Sequence, residues 1–407
     1  MFILVAILLI LLSREDICGI STLDVPTKDV LVSPSEGTDI TKSIDELLTC
    51  HNQIKCIKPQ LQFDKKVRIY LCKQVAPNER IRYGIRFHYL IEEGLSRHPN
   101  VELVADKSKA EVIFYLPYSS VWSKSECNKI ADKFRTVLLD EQDSSDRLFV
   151  APNDNNGTWL GYFKRSYAER SNGKSTGYLP SLSNPQILPL TFTISDKYVQ
   201  TVFNSYENRT LDFVCTLRGS INRDPARLRV KTWTAEYGAK RSVANYVAGE
   251  INQSSRDKID GDYFSLLHNS KIIVTTNPSA HEGDMRFMES MASGSLVFID
   301  RMLTPFPNPF LDKVHVVYYD NNNKTDLFAK LDYYRNNVDV AKKIAINGYL
   351  HAMKYHRTST FIDYVLRTVY FKLDPNHVRK YSNTGVDLRD EAVANSKLSK
   401  KRLNVLN

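Results

Sequence analysis

Lys271-Ile-Ile-Val-Thr-Thr276, Glu282-Gly-Asp-Met-Arg-Phe-Met-Glu289 and Ser295-Leu-Val-Phe-Ile-Asp300 follow one another along the stretch that decides the fold. Two short apolar runs flank a segment of helical spacing, so the stretch reads strand, loop, short helix, strand. The helix, Asp284 to Ser293, stops at Gly294, a residue suited to a helix C-terminus. Met285, Met288 and Met291 read as core packing. Arg286 and Glu289 are three apart and share a helix face. Taken alone, the pair reads as a salt bridge. The preceding loop, with Pro278, Glu282 and Gly283, points to a site instead. A guanidinium near a helix N-terminus suits a phosphate, because free backbone N–H groups there already favour anions. A carboxylate one turn deeper can take two hydroxyls of a ribose.

Outward from this stretch, strands and helices alternate. Strands are predicted at Val67–Leu71, Val101–Val104, Ala110–Leu116 and Thr136–Glu141, with a helix from about Tyr83 to Ser96 and another around Cys127–Phe134. Residues 151–200 are looser, with a strand-like Ile187–Phe192. A second series opens at Phe213-Val-Cys-Thr-Leu-Arg-Gly219. It runs through a helix at Ala226–Tyr237, a strand or helix at Val243–Val247, a helix at Tyr263–Leu267, the motif stretch, a strand at Val314–Asp320, and helices over 326–335, 338–352 and 358–372. The pattern predicts an α/β protein of two doubly wound halves facing a cleft, with ligands outside the carboxyl ends of the strands. The domains are read as a signal peptide or short anchor (1–21), a stem (22–65), a first α/β domain (66–205), a second (206–372) and a polar basic tail (373–407). Residues 200–211 are the expected connection.

The 407 residues exceed one typical core, and 42% hydrophobic with 25% charged residues is ordinary for a globular chain. The net charge of +9 suits phosphorylated or acidic ligands. It also suits nucleic acid, but no zinc-finger spacing and no basic helix interleaved with aromatics is present, so nucleic acid is not expected as a partner. The apolar run Phe2–Leu12 is too short to span a bilayer, which needs about 20 residues, and fits a signal-peptide core. A buried N-terminal strand or helix is the alternative. Membrane association is expected through this segment at most. None of the six cysteines forms a Cys-x-x-Cys pair. In an oxidising lumen Cys50 and Cys56 could close a small loop. Sequons at Asn156, Asn208, Asn252 and Asn323 permit a luminal location.

Further candidates lie elsewhere in the chain. Arg218-Gly219 follows a strand, and glycine there permits close backbone approach to a phosphate. Arg227 and Arg229 read as a solvated basic helix face. Asp140, at the end of a strand, could deprotonate an acceptor hydroxyl if it faces the cleft; a polar loop is the equal alternative. Lys164-Arg165 could bind an acidic acceptor or a diphosphate. Asp260-Gly-Asp262 reads as helix capping. His351 and His356 are five apart, which is no helical ligand spacing, and no metal site is expected.

From about 211 to 370 the chain resembles the C-terminal half of GT-B glycosyltransferases, especially the exostosin-like and CgeB-like groups. The residues that carry this are Leu217-Arg-Gly219, Tyr263-Phe-Ser-Leu-Leu-His-Asn-Ser-Lys271, and Arg286-Phe-Met-Glu289 before Gly294. In the first half, Lys107 to Tyr118 is similar to the exostosin-like Ala-Asp-x-Phe-x-x-Pro segment. Where exostosin-like chains have Cys-x-Pro-Val after the glycine, this chain has Ser295-Leu-Val-Phe-Ile-Asp300, closer to the CgeB-like group, as are Tyr318-Tyr-Asp320 and Ala345 to His351. The resemblance implies that Arg286 binds a donor diphosphate, that Glu289 binds the ribose, and that Glu282 lies near the donor sugar; with Arg286, Arg218 is expected to stabilise the leaving diphosphate. It implies a UDP-sugar donor, a glycan or glycoprotein acceptor, and no required cofactor or metal. A non-catalytic glycan-binding protein on the same frame is the alternative.

Overall fold

The computed structural model describes residues 66–73, 88–116, 135–140, 159–165, 169–171, 174–178, 187–195, 206–218, 224–247, 261–277, 284–301 and 308–370. The expected signal, stem and tail lie outside these residues, as do the Cys127–Phe134 helix, Gly219, Asp260, Glu282 and the sequons at Asn156 and Asn252.

The first half builds a six-stranded sheet. Its strands are β1 (Val67–Lys73), β2 (Val101–Leu103), β3 (Val112–Leu116), β4 (Thr136–Asp140), β5 (Gly161–Lys164) and β8 (Ile187–Pro189), with helix α1 (His88–Arg97) between β1 and β2. Their order is β2-β1-β3-β4-β5-β8, and every pairing is parallel. β3 and β4 are buried along their whole length, as parallel strands covered on both faces must be. A separate antiparallel pair, β6 (Glu169–Ser171) and β7 (Lys174–Tyr178), interrupts the series. β5 falls where the sequence reads as a loose middle, because the charged end of Tyr162-Phe-Lys-Arg165 conceals a buried strand.

The second half builds a five-stranded parallel sheet of order β10-β9-β11-β12-β13. The strands are β9 (Leu211–Cys215), β10 (Asn245–Val247), β11 (Ser270–Val274), β12 (Leu296–Ile299) and β13 (Val317–Tyr318). The helices are α2 (Pro225–Arg241), α3 (Gly261–His268), α4 (Met285–Ala292), α5 (Lys324–Asn336), α6 (Val338–Tyr355) and α7 (Thr358–Tyr370). Both sheets match the expected α/β class with parallel βαβ units. β13 is shorter than the predicted Val314–Asp320 strand. The first part of that run is a turn, with Lys313 at φ 59° and the Leu311 N–H donating to His315 Nδ1 at 3.1 Å.

Residues 206–211, the described part of the expected connection, are held to the second sheet. Arg209 is buried and donates to Ser270 O (2.9 Å), Ser295 Oγ (2.6 Å) and Ser293 O (2.9 Å), pinning the amino ends of β11 and β12. Burial pulls its guanidinium down to about 10.

Helix α7 falls in the stretch expected to close the second domain, yet it packs on the first. Phe361, Ile362, Val365, Leu366 and Val369 share one hydrophobic cluster with Leu90, Ile91 and Leu95 of α1 and with Phe163 of β5. A Cβ on Gly161 of β5 would lie 2.5 Å from Val369 Cγ1. The buried His98 Nε2 lies 3.2 Å from Asp363 Oδ1. The crossing is stitched by backbone bonds from Ile194 N to His356 O (2.8 Å) and from Thr358 N to Ile194 O (3.1 Å).

Candidate functional site

In the second sheet β9 is the first strand in sequence and β10 and β11 flank it, so the strand order reverses between β9 and β11. The crevice outside the carboxyl ends of these two strands is the usual ligand position in such folds. The loop after β9 carries Arg218, which is exposed, and leads to α2. The loop after β11 leads to α4.

Asp284 is the residue that organises the crevice. Its extended backbone places it as the N-cap of α4, where Oδ1 accepts from Phe287 N at 2.9 Å. Its second oxygen, Oδ2, receives Arg227 Nη2 from α2 at 2.6 Å and Arg286 Nη1 from α4 at 3.3 Å. One carboxylate thus caps a helix and holds two guanidiniums from two elements. The side chains of Arg227, Asp284 and Arg286 are 11%, 12% and 12% exposed. Arg227 is therefore not part of a solvated face. Arg229 also makes defined bonds, from Nε to Asn321 O (2.9 Å) and from Nη2 to Asn322 Oδ1 (2.7 Å).

Glu289 lies one turn into α4 and is 5% exposed. Met285, Met288 and Met291 are buried in the core, and Gly294 has φ 68°, the left-handed position that favours glycine after a helix. The helix therefore turns its methionines into the protein and keeps Arg286 at the crevice. Arg286 takes Asp284 as a partner, a contact that the i,i+3 spacing to Glu289 does not disclose.

A second polar group, missed by sequence reasoning, closes the carboxyl ends of β11, β12 and β13. Asn277 N donates to Asp300 Oδ1 (2.7 Å), Asn277 Nδ2 to Asp300 O (2.9 Å), and Asn321 Nδ2 to Asp300 Oδ2 (2.7 Å), all buried. It fixes where the loops after these strands begin. The only signal in sequence was an aspartate directly after an apolar run. Cys215 ends β9 beneath the crevice. Burial pushes its thiol up to about 11, so it is no thiolate nucleophile at neutral pH.

The first-half candidates are placed differently. Asp140 does end β4 at the carboxyl edge, but its carboxylate has 0% exposure. Oδ2 accepts Tyr162 OH at 2.6 Å and faces Lys164 Nζ at 3.7 Å. Lys164 is equally buried, and Arg165 lies 4.9 Å over the Phe192 ring. Lys164-Arg165 is thus no exposed anion-binding pair. His351 and His356 gather with His315 around one backbone carbonyl: both Nε2 atoms approach Asn308 O, at 3.1 and 2.8 Å, and the rings of His315 and His351 stack at 4.0 Å. Phe310, stacked on His356, also packs against Phe287 of α4. Gly219 and Glu282 lie outside the described residues.

Residues 209–367 match the sequence model of a family described as glycosyl transferase-like. The matched span contains all of the crevice residues in the second sheet. Glycosyltransferase is the enzyme class this match supports. Among solved structures, TarM aligns with 59% of this chain at 12% identity and a TM-score of 0.40. The chain spans 55% of TarM's length. An alpha-glucosyltransferase in complex with UDP-glucose and DNA containing an abasic site aligns 99% of its chain with 75% of this one, at 9% identity and a TM-score of 0.48. Alr3699/HepE of Anabaena, in complex with UDP-glucose, aligns 99% of its chain with 75% of this one, at 11% identity and a TM-score of 0.46. No curated protein matches the chain.

Proposed function

We propose that the chain is a glycosyltransferase that moves a sugar from a nucleotide-sugar, a UDP-sugar, to a glycan or glycoprotein acceptor in the secretory pathway. One observation carries the enzyme reading. The glycosyl transferase-like span coincides with the switch-point crevice, where Arg286 stands at a helix N-terminus and a buried Glu289 lies one turn deeper. In this reading Arg286 and Arg218 take the donor diphosphate, Gly219 lets the backbone approach it, and Glu289 accepts from the ribose hydroxyls. Glu282, two residues before Asp284 in the sequence, is the residue assigned to the donor sugar.

The chemistry asked of the protein is chiefly stabilisation of the leaving diphosphate. Fixed guanidiniums and helix N–H groups offset the charge that develops as the glycosidic bond breaks, with little reorganisation. An inverting reaction also needs a base for the acceptor hydroxyl. Asp140 can serve only if an acceptor reaches past Tyr162, and we assign it instead to joining β4 and β5 through Lys164. The secretory setting is supported by the apolar N-terminal run Phe2–Leu12. N-terminal sequencing and fractionation of the chain from secreting cells test that setting; an intact Met1 on a cytosolic product overturns it.

Calorimetric titration of UDP and GDP into the wild type and Arg286→Ala tests the donor site. UDP binding that Arg286→Ala abolishes is the expected result. A folded wild type that binds neither nucleotide overturns the donor site and favours a glycan-binding protein on the same frame.

A further inference from the structure

Arg227 makes an arrangement that helix packing alone does not explain. It sits in the first turn of α2, a 17-residue helix whose N-cap residue, Asp224, makes no side-chain capping bond. A guanidinium at a helix N-terminus opposes the helix dipole, and Arg286 repeats the same mismatch at the start of α4. The two cations come from residues 59 positions apart (286 − 227), and they converge on a single oxygen, Asp284 Oδ2. A guanidinium carries five N–H donors in a fixed fork. Arg227 gives Asp284 one of its donors, from Nη2. Its Nε–H is buried and has no acceptor among the described residues.

A buried N–H without a partner is costly, by about 1–3 kcal/mol. In a binding crevice a ligand can supply the missing acceptor. The ligand must be an anion, because it meets two guanidiniums and two helix N-termini. It must also have spare acceptors beyond one carboxylate oxygen, because Oδ2 of Asp284 is already shared. Phosphate oxygens match a guanidinium fork in a two-pronged contact.

We propose that Arg227 is a diphosphate ligand of the donor site, with Asp284 acting as a positioning residue that holds it beside Arg286. The proposal rests on the donor reading given above and adds a residue to it. In the bound state Nε–H of Arg227 donates to a phosphate oxygen while Nη2 stays on Asp284. Arg286 meets the neighbouring phosphate.

The test is titration of inorganic pyrophosphate and of UDP into the full chain, for the wild type, Arg227→Gln, Arg227→Lys and Arg286→Ala. Pyrophosphate probes the phosphate contacts without the base or ribose. Arg227→Gln should weaken both ligands by about tenfold or more, the effect of one lost charge-assisted bond. Arg227→Lys keeps the charge and the pairing with Asp284 but lacks Nε–H, so it should recover little of the affinity. If Arg227 is only a staple between α2 and α4, Lys restores wild-type binding, and that result overturns the proposal. Arg227→Gln that binds like wild type overturns it as well. If Arg286→Ala loses UDP in that same series, the donor reading stands without Arg227. A folded wild type that binds neither ligand removes both. If Arg227→Gln does not fold, Arg227→Lys decides alone, with a loss of about fivefold or more as the supporting result and unchanged affinity as the opposing one.

Discussion

Asn321 Nδ2 donates to Asp300 Oδ2 over 2.7 Å, tying the loop after β13 to the carboxyl end of β12. The other oxygen of Asp300 takes the backbone N–H of Asn277 at the end of β11. One carboxylate therefore sets the spacing of three strand ends beside the crevice. Asp300→Ala leaves these buried donors without an acceptor and should cost about 2–4 kcal/mol. Asp300→Asn keeps an acceptor and should cost less. Denaturant unfolding of both variants checks the order; equal stability in the Ala variant and the wild type contradicts it.

Asp140 and Lys164 make a second prediction, because they separate a catalytic role from a structural one. Asp140→Ala strips a buried ammonium of this carboxylate and should destabilise by about 3–5 kcal/mol. Replacing both residues, as Asp140→Leu with Lys164→Met, should recover most of the loss, since an apolar pair of similar volume needs no desolvation of charge. A base would behave otherwise: Asp140→Asn would keep its melting temperature and lose turnover.

Gly94 tests the packing of α7 on α1. In a helix interior alanine is favoured over glycine by about 1 kcal/mol. Here a Cβ would lie 2.6 Å from Thr358 O and 2.7 Å from Ile362 Cγ1, and the first of these is backbone. The clash should outweigh the propensity, so Gly94→Ala should lower stability by about 1–3 kcal/mol. A higher melting temperature in Gly94→Ala would mean that the two helices can separate at little cost.

His268 gives a pH dependence with a definite sign. It is buried against Phe264 at 4.5 Å, and neither ring nitrogen has a hydrogen-bond partner among the described residues. Burial, with the Arg209 charge as a smaller cause, pulls its pKa down to about 4. An unfolded histidine titrates near 6.5. Between those values the unfolded chain binds a proton that the folded chain does not, so stability is lost as pH falls through that window. His315, pulled down to about 3 chiefly by burial, adds to the same loss. His268→Leu should match or exceed wild-type stability at pH 7 and show a shallower fall in melting temperature on acidification. An unchanged slope would count against the assignment.

Glu289 separates ribose from phosphate. If it accepts from the ribose hydroxyls, Glu289→Gln should weaken UDP by about tenfold, or 1.4 kcal/mol, and leave pyrophosphate binding as it was. Equal loss for both ligands would place Glu289 in support of α4 instead.

The β11–α4–β12 stretch was legible because local signals agree there: continuous apolar runs, an Asp at the N-cap, methionines on one face and a glycine at the end. β5 was hidden because Lys164 breaks the rule that charge stays outside, and its partner Asp140 is supplied by sheet register, 24 positions earlier (164 − 140). The role of Arg227 was hidden for a similar reason, since Asp284 lies 57 positions away. The destination of α7 was also illegible. Periodicity shows that a helix has an apolar face, and says nothing about which sheet will cover it.

That destination bears on how the chain matures at the ribosome. Domains tend to fold as units in order of emergence, at about 5–20 residues added per second. The sheet that emerges first waits here for a helix that emerges near the end, after the whole second sheet. Until Thr358–Tyr370 is made, Leu90, Leu95 and Phe163 lack part of their cover. The nascent first half is therefore the natural client for a chaperone, and a cut just before Thr358 would leave a finished second sheet joined to an unfinished first one.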